Sequence, residues 1–139
     1  MKRKWIILIL ICVGFILIQS TIPEVKSAHE SMWITENIIN PIISHFGMVA
    51  DEDIVRKVAH AAEFCILSIV ISLWVKKPVR SFYLGFTLAF LDESLQLITG
   101  RGALVTDIWI DLIGVAAGMG IGQVISMIFR KNSGETRCK

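Results

Sequence analysis

Asp92, Glu93, Gln96, Arg101, Asp107 and Asp111 stand in FLDESLQLITGRGALVTDIWIDLIGVAAG, Phe90 to Gly118, among residues otherwise suited to lipid. A charge at the centre of a bilayer helix costs roughly 2.5 to 3.5 kcal/mol on insertion scales, so such residues face a bundle interior and mark a functional site. Upstream, Arg56, His60 and Glu63 follow at spacings of four and three, which places them along one stripe of a helix. In chemical terms His60 is the candidate general base. A carboxylate among Glu63, Asp92 and Glu93 is the candidate acid or metal ligand, and Arg101 the candidate anion clamp. Up to five carboxylates face two basic groups and a histidine, so either one carboxyl keeps its proton or the cluster takes a cation. A lone histidine makes a poor zinc set and nothing selects magnesium or calcium, so no metal ligand is assigned and the cofactor stays unknown. No GxSxG, HExxH or phosphate-loop motif is present, and whether the protein is an enzyme stays open.

These residues need membrane helices to hold them. With 139 residues, a mean hydropathy of +0.66 and 19% charged residues, the chain is short enough for one domain and too apolar for an ordinary soluble one. Four segments carry the apolar character: Trp5 to Ile22, Val58 to Val75, Ser81 to Ile98 and Asp107 to Phe129. Each approaches the roughly 20 residues that cross about 30 Å of hydrocarbon. The expected fold is an all-α polytopic bundle of about four transmembrane helices with an extracytoplasmic amphipathic loop. In the third segment Asp92 lies about 16 Å from Ser81, with Gln96 one turn on along the same face and Glu93 pointing somewhat aside. Thr99-Gly100-Arg101-Gly102 then makes a turn suited to carrying the guanidinium back to the bundle. Thr106 or Asp107 caps the fourth segment, where Asp107, Asp111, Gly114, Gly118 and Gly122 share one face. Glycines at every fourth position read as a seam for close helix packing.

The basic residues gather in MKRK, in Lys76, Lys77 and Arg80, and in Arg130, Lys131, Arg137 and Lys139, leaving Lys26, Arg56, Lys57 and Arg101 on the other side or in that half of the membrane, where every acid except Glu135 also lies. By the positive-inside rule both termini are cytoplasmic, and the chain is a multi-pass protein of the cell membrane. The net charge of +2 hides this polarity and argues against nucleic acid. Residues 1–22 form the first helix or a signal anchor. A cleaved signal peptide ending near Val25-Lys26-Ser27 is the alternative, and Ile11 before Cys12 speaks against a lipoprotein signal. Residues 23–55 form the extracytoplasmic loop. There Trp33, Ile34, Ile38 and Ile42 predict two short amphipathic turns, broken at Asn40-Pro41, lying on the membrane or over the bundle. Asp51, Glu52 and Asp53 start the second span as acids at a helix N-terminus. Residues 56–129 carry helices two to four, and 130–139 a polar cytoplasmic tail that frays from Asn132. Cys12, Cys65 and Cys138 are expected as free thiols.

RKVAHAAEF with Leu67 resembles the RK-x-x-H-x-x-E-[YF]-x-x-L signature of VanZ-like membrane proteins. DESLQ, then GR, then DIWIDLIGVAAG resemble that family's DE-x-x-Q, G-R and D-x-x-x-[ND]-x-x-G-x-x-x-G pattern. The resemblance covers Arg56 to Gly118 and departs at Asp111, where many members carry asparagine. It implies a small helical bundle with extracytoplasmic polar residues and, for the founding member, a contribution to teicoplanin (glycopeptide) resistance. Three readings follow. The chain binds or modifies a cell-envelope component, such as a lipid-linked cell-wall component, through Arg56, His60, Glu63, Asp92, Glu93, Gln96, Arg101, Asp107 and Asp111. Or it is a membrane-embedded hydrolase or transferase acting on a lipid-linked substrate. Or the polar network only fixes helix register.

Overall fold

The computed structural model describes residues 2–22, 29, 31–47, 49–99 and 105–132. Every regular element among them is helical: α1 (Lys2–Thr21), a π turn (Thr35–Ile39), α2 (Asn40–Ile43), a 3-10 turn (Ser44–Phe46), α3 (Glu52–Val75), α4 (Pro78–Ile98) and α5 (Val105–Asn132). Arg101 with Gly100 and Gly102, the Val25-Lys26-Ser27 stretch, Cys138 and the tail beyond Asn132 lie outside the described residues. Cys12 and Cys65 are free thiols.

Among the described residues three stretches are long and apolar enough to cross a membrane: Arg3–Thr21, Glu52–Val75 and Thr106–Phe129. At 21 residues α4 reaches about 32 Å, but Asp92, Glu93 and Gln96 make its second half polar. The α3–α4 connection is built from Lys76-Lys77-Pro78. Lys76 takes a left-handed φ of 56° and returns its N–H to the Ser72 carbonyl at 2.9 Å. Lys77 is extended and Pro78 opens α4, where its missing N–H has no intrahelical role to lose.

Two local expectations need correction. Asn40-Pro41 does not break the loop helix, because residues 31–46 stay helical throughout. The chain widens into a π turn just before the proline, with the Asn40 N–H reaching the Thr35 carbonyl one residue further back than in an α-helix. A wider turn gives the proline ring room and absorbs its missing donor. Gly47, at φ +70°, ends this segment, and Asn40 Oδ1 accepts the Ala50 N–H at 2.8 Å, tying the loop to the approach of α3. Likewise Thr106 and Asp107 lie within α5, whose described span is Val105–Asn132, rather than capping it. At α3 the acids stand where expected, Asp51 at the N-cap and Glu52 and Asp53 in the first turn, but Asp51 makes no side-chain capping bond.

The bundle is organised by the seam between α3 and α5. A methyl group at Gly114 would overlap the Ala61 carbonyl oxygen, and one at Gly118 the Cys65 carbonyl oxygen, so α5 lies directly on the α3 backbone. At Gly122 the neighbour is the Ser72 side chain, which also accepts a hydrogen bond from Gln123 Nε2 at 2.9 Å. Val115, fully buried between these glycines, packs with Phe64, Leu67, Ile71, Ala89 and Ile16. Gly85 lets α4 close on Val115 and Ser68. Against α3 and α4 lies α1, with Ile16 and Ser20 buried.

Candidate functional site

The inward face of α4 presents Asp92 and Gln96 one turn apart, as their spacing requires. Asp92 is 1% exposed and Gln96 7%. Gln96 Nε2 donates to Asp92 Oδ2 at 2.8 Å, and the Ser20 hydroxyl of α1 lies 2.5 Å from Asp92 Oδ1. Ser20 also sits 3.0 Å from the Ile16 carbonyl, so its single proton is shared between two acceptors. A buried carboxylate is retained only with such partners, since desolvation of an ion costs several kcal/mol. Ser20 was not among the residues picked out by spacing. The signal for it was the polar triplet Gln19-Ser20-Thr21 closing an apolar helix.

Glu93, one step round the helix from Asp92, lies aside of that face and is nevertheless buried. It is 6% exposed, because α4 is packed by α1, α3 and α5 and so buries more than one face. On α5, Asp111 is 2% exposed and lies within electrostatic reach of Glu93, Asp92, Asp107 and Glu63, which come from three different helices. The α3–α5 seam sets this convergence: Gly114, three residues from Asp111, fixes α5 against Ala61, and Ala61 stands between His60 and Glu63.

Among the described residues the cations nearest this centre, Lys57 and Arg56, are peripheral. Lys57 Nζ is 3.9 Å from Asp107 Oδ1 with both side chains partly exposed, a partner for Asp107 that spacing did not assign. Arg56 turns along its own helix to Asp53, Nη2 to Oδ1 at 2.8 Å, at the rim of the bundle. His60 Nδ1 lies 3.7 Å from Glu63 Oε2, an ion-pair distance rather than a hydrogen bond. Among the described residues no three His, Cys, Asp or Glu side chains converge as a metal-ligand set.

Beside the carboxylates a groove of about 770 Å³ opens between the end of α1, the loop helix and the first half of α3, with Arg56, His60 and Glu63 in its wall. A smaller cavity of about 120 Å³ lies between α1, α3 and α4 and ends on Asp92.

Comparison with known proteins extends the likeness past the motif-bearing half. Over 76 residues the chain is 32% identical to an uncharacterized membrane protein, YwnJ, of Bacillus subtilis, and this covers 53% of each chain. The chain thus spans about half the length of this curated relative. No solved structure matches it. The VanZ/LLP1 family model matches residues 5–129, taking in α1 with its Ser20 as well as α3 to α5, and the chain belongs to the VanZ/LLP1 family.

Proposed function

We propose that this protein binds or modifies a cell-envelope component through the carboxylate-rich interior of its bundle and thereby lowers glycopeptide (teicoplanin) susceptibility. The observation that carries the reading is the grouping of Glu63, Asp92, Glu93 and Asp107 within electrostatic reach of Asp111, with Asp92, Glu93 and Asp111 almost fully buried in a largely apolar helical protein. Register alone needs fewer charges than this. The basic-residue asymmetry supports four spans with both termini cytoplasmic, α4 being the third, its polar end towards the outer leaflet. In that orientation the site meets the headgroup of a lipid-linked cell-wall component. Arg101, in the sequence between Gln96 and Asp107, supplies an anion clamp.

A second reading is a hydrolase or transferase acting on such a lipid. It draws on His60 and Glu63, one turn apart on α3 at 3.7 Å, where the carboxylate can stabilise an imidazolium formed when His60 takes a proton.

The test is mass spectrometry of what co-purifies with the full-length protein, joined to glycopeptide susceptibility in a strain that shows a resistance phenotype with the parent gene. A bound headgroup species lost in Asp92→Asn and Arg101→Ala supports binding, and accumulation of a cleaved or transferred product supports the enzyme. Normal abundance with parental susceptibility in His60→Ala, Arg101→Ala and Asp111→Asn alike overturns both readings. Asp111→Asn, which installs the residue common in VanZ-like proteins, is expected to be the mildest.

A further inference from the structure

The groove between α1, the loop helix and α3 adjoins the carboxylate interior, with Glu63 in its wall and Asp92, Glu93 and Asp111 outside it, and its shape and charge suit a different ligand. We infer that it holds one anionic phospholipid, with the phosphate at Arg56 and an acyl chain against Ile18, Ile34 and Ala59. Only the choice of leaflet rests on the function proposed above.

Its volume of about 770 Å³ lies within the range of roughly 300–1,000 Å³ typical of small-molecule sites. The walls are mostly apolar, with Phe15 and Ile18 from α1, Ile34 from the loop helix, and Ile54, Ala59 and Ala62 from α3, while His60 and Glu63 join them towards the deep end. The α3 wall from Ile54 to Glu63 extends about 14 Å, close to the roughly 15 Å hydrocarbon depth of one leaflet. A chain lying along it therefore starts at the interface and ends near the bilayer centre.

Arg56 stands at the shallow end of this wall, one turn from the start of α3. Its partner Asp53 is 57% exposed, and a pair of this kind contributes little that a competing anion must overcome. A phosphate presents two oxygens to the guanidinium fork and matches it at least as well as the single contact to Asp53 does. Deeper in the groove, the small side chains Ala59 and Ala62 leave the width that an acyl chain fills.

The experiment uses the full-length protein, stripped with detergent, reconstituted into phosphatidylcholine nanodiscs containing a minority of phosphatidylglycerol, and analysed by native mass spectrometry. The parent is expected to retain one phosphatidylglycerol, preferred over phosphatidylcholine by about fivefold for one basic contact. Ala59→Phe, with Ala62→Phe as the second variant, should lower retention about tenfold or more by filling the groove. Ala116→Phe, on an exposed face of α5 away from the groove, controls for bulk in the membrane and should retain the lipid. Arg56→Gln should keep a bound lipid and lose the preference. Glu93→Gln and Asp111→Asn should bind as the parent does, whatever becomes of the carboxylate site, and loss of the lipid in them would overturn a separate groove. Equal retention of both lipids by the parent, parental retention in both alanine-to-phenylalanine variants, or an isoprenyl phosphate in place of phospholipid in protein taken directly from cells would each overturn the proposal.

Discussion

Replacing Gly118 with alanine probes the contact that places Asp111. The new methyl overlaps the Cys65 carbonyl oxygen, a backbone atom that no rotamer change can move, so α3 and α5 must separate locally. Gly120→Ala is the internal control, since a methyl there meets nothing within 4 Å. Both substitutions gain about 1 kcal/mol of helix propensity, which cancels between them. Only Gly118→Ala adds overpacking, about 1–3 kcal/mol. At about 4 °C per kcal/mol for a chain of this size, the two variants should differ in unfolding midpoint by roughly 4–12 °C. Thermal unfolding of both full-length proteins in one detergent reads this difference, and Gly114→Ala should repeat the loss against the Ala61 carbonyl. A Gly118→Ala protein as stable as Gly120→Ala would refute the close backbone contact and the placement of Asp111 that depends on it.

Ser20→Ala strips one hydrogen-bond partner from a fully buried carboxylate, so it should cost about 1–3 kcal/mol, with Ser20→Thr recovering part of the loss. Equal midpoints for Ser20→Ala and the parent would show that α1 does not hold Asp92. For topology, an impermeant thiol reagent applied to intact cells should leave Cys138 unmodified and label it after permeabilisation. Labelling of Cys138 in intact cells would invert the bundle and turn the carboxylates to the cytoplasm.

Helix periodicity made much of this legible. Asp92 with Gln96, and Asp107 and Asp111 with Gly114, Gly118 and Gly122, share faces because residues three and four apart are neighbours on any helix. Those faces turn inward, as burial of Asp92, Gln96 and Asp111 shows. Periodicity assigns one inward face per helix, and α4, packed by α1, α3 and α5, has more than one, so the burial of Glu93 beside the Asp92 face was not legible. Ser20 escaped notice because its partner is 72 positions away, a relation that only tertiary packing supplies. The loop helix persisted through Pro41 because the backbone widened into a π turn, a local compromise that the preference of residues before proline for extended conformations does not anticipate. The seam itself was readable from glycine spacing, but its partners, the Ala61 and Cys65 carbonyls, were not.

Glu93→Gln separates a working site from a structural network most directly, because it removes a buried charge while nearly preserving shape. If the carboxylates only fix register, neutralising one is neutral or stabilises by about 1–4 kcal/mol and leaves function intact. The measurement is membrane abundance and unfolding midpoint beside glycopeptide susceptibility, in a strain protected by the parent gene. A working site gives abundance and midpoint at or above the parent's together with loss of protection. Undiminished protection at parental abundance would contradict a working site.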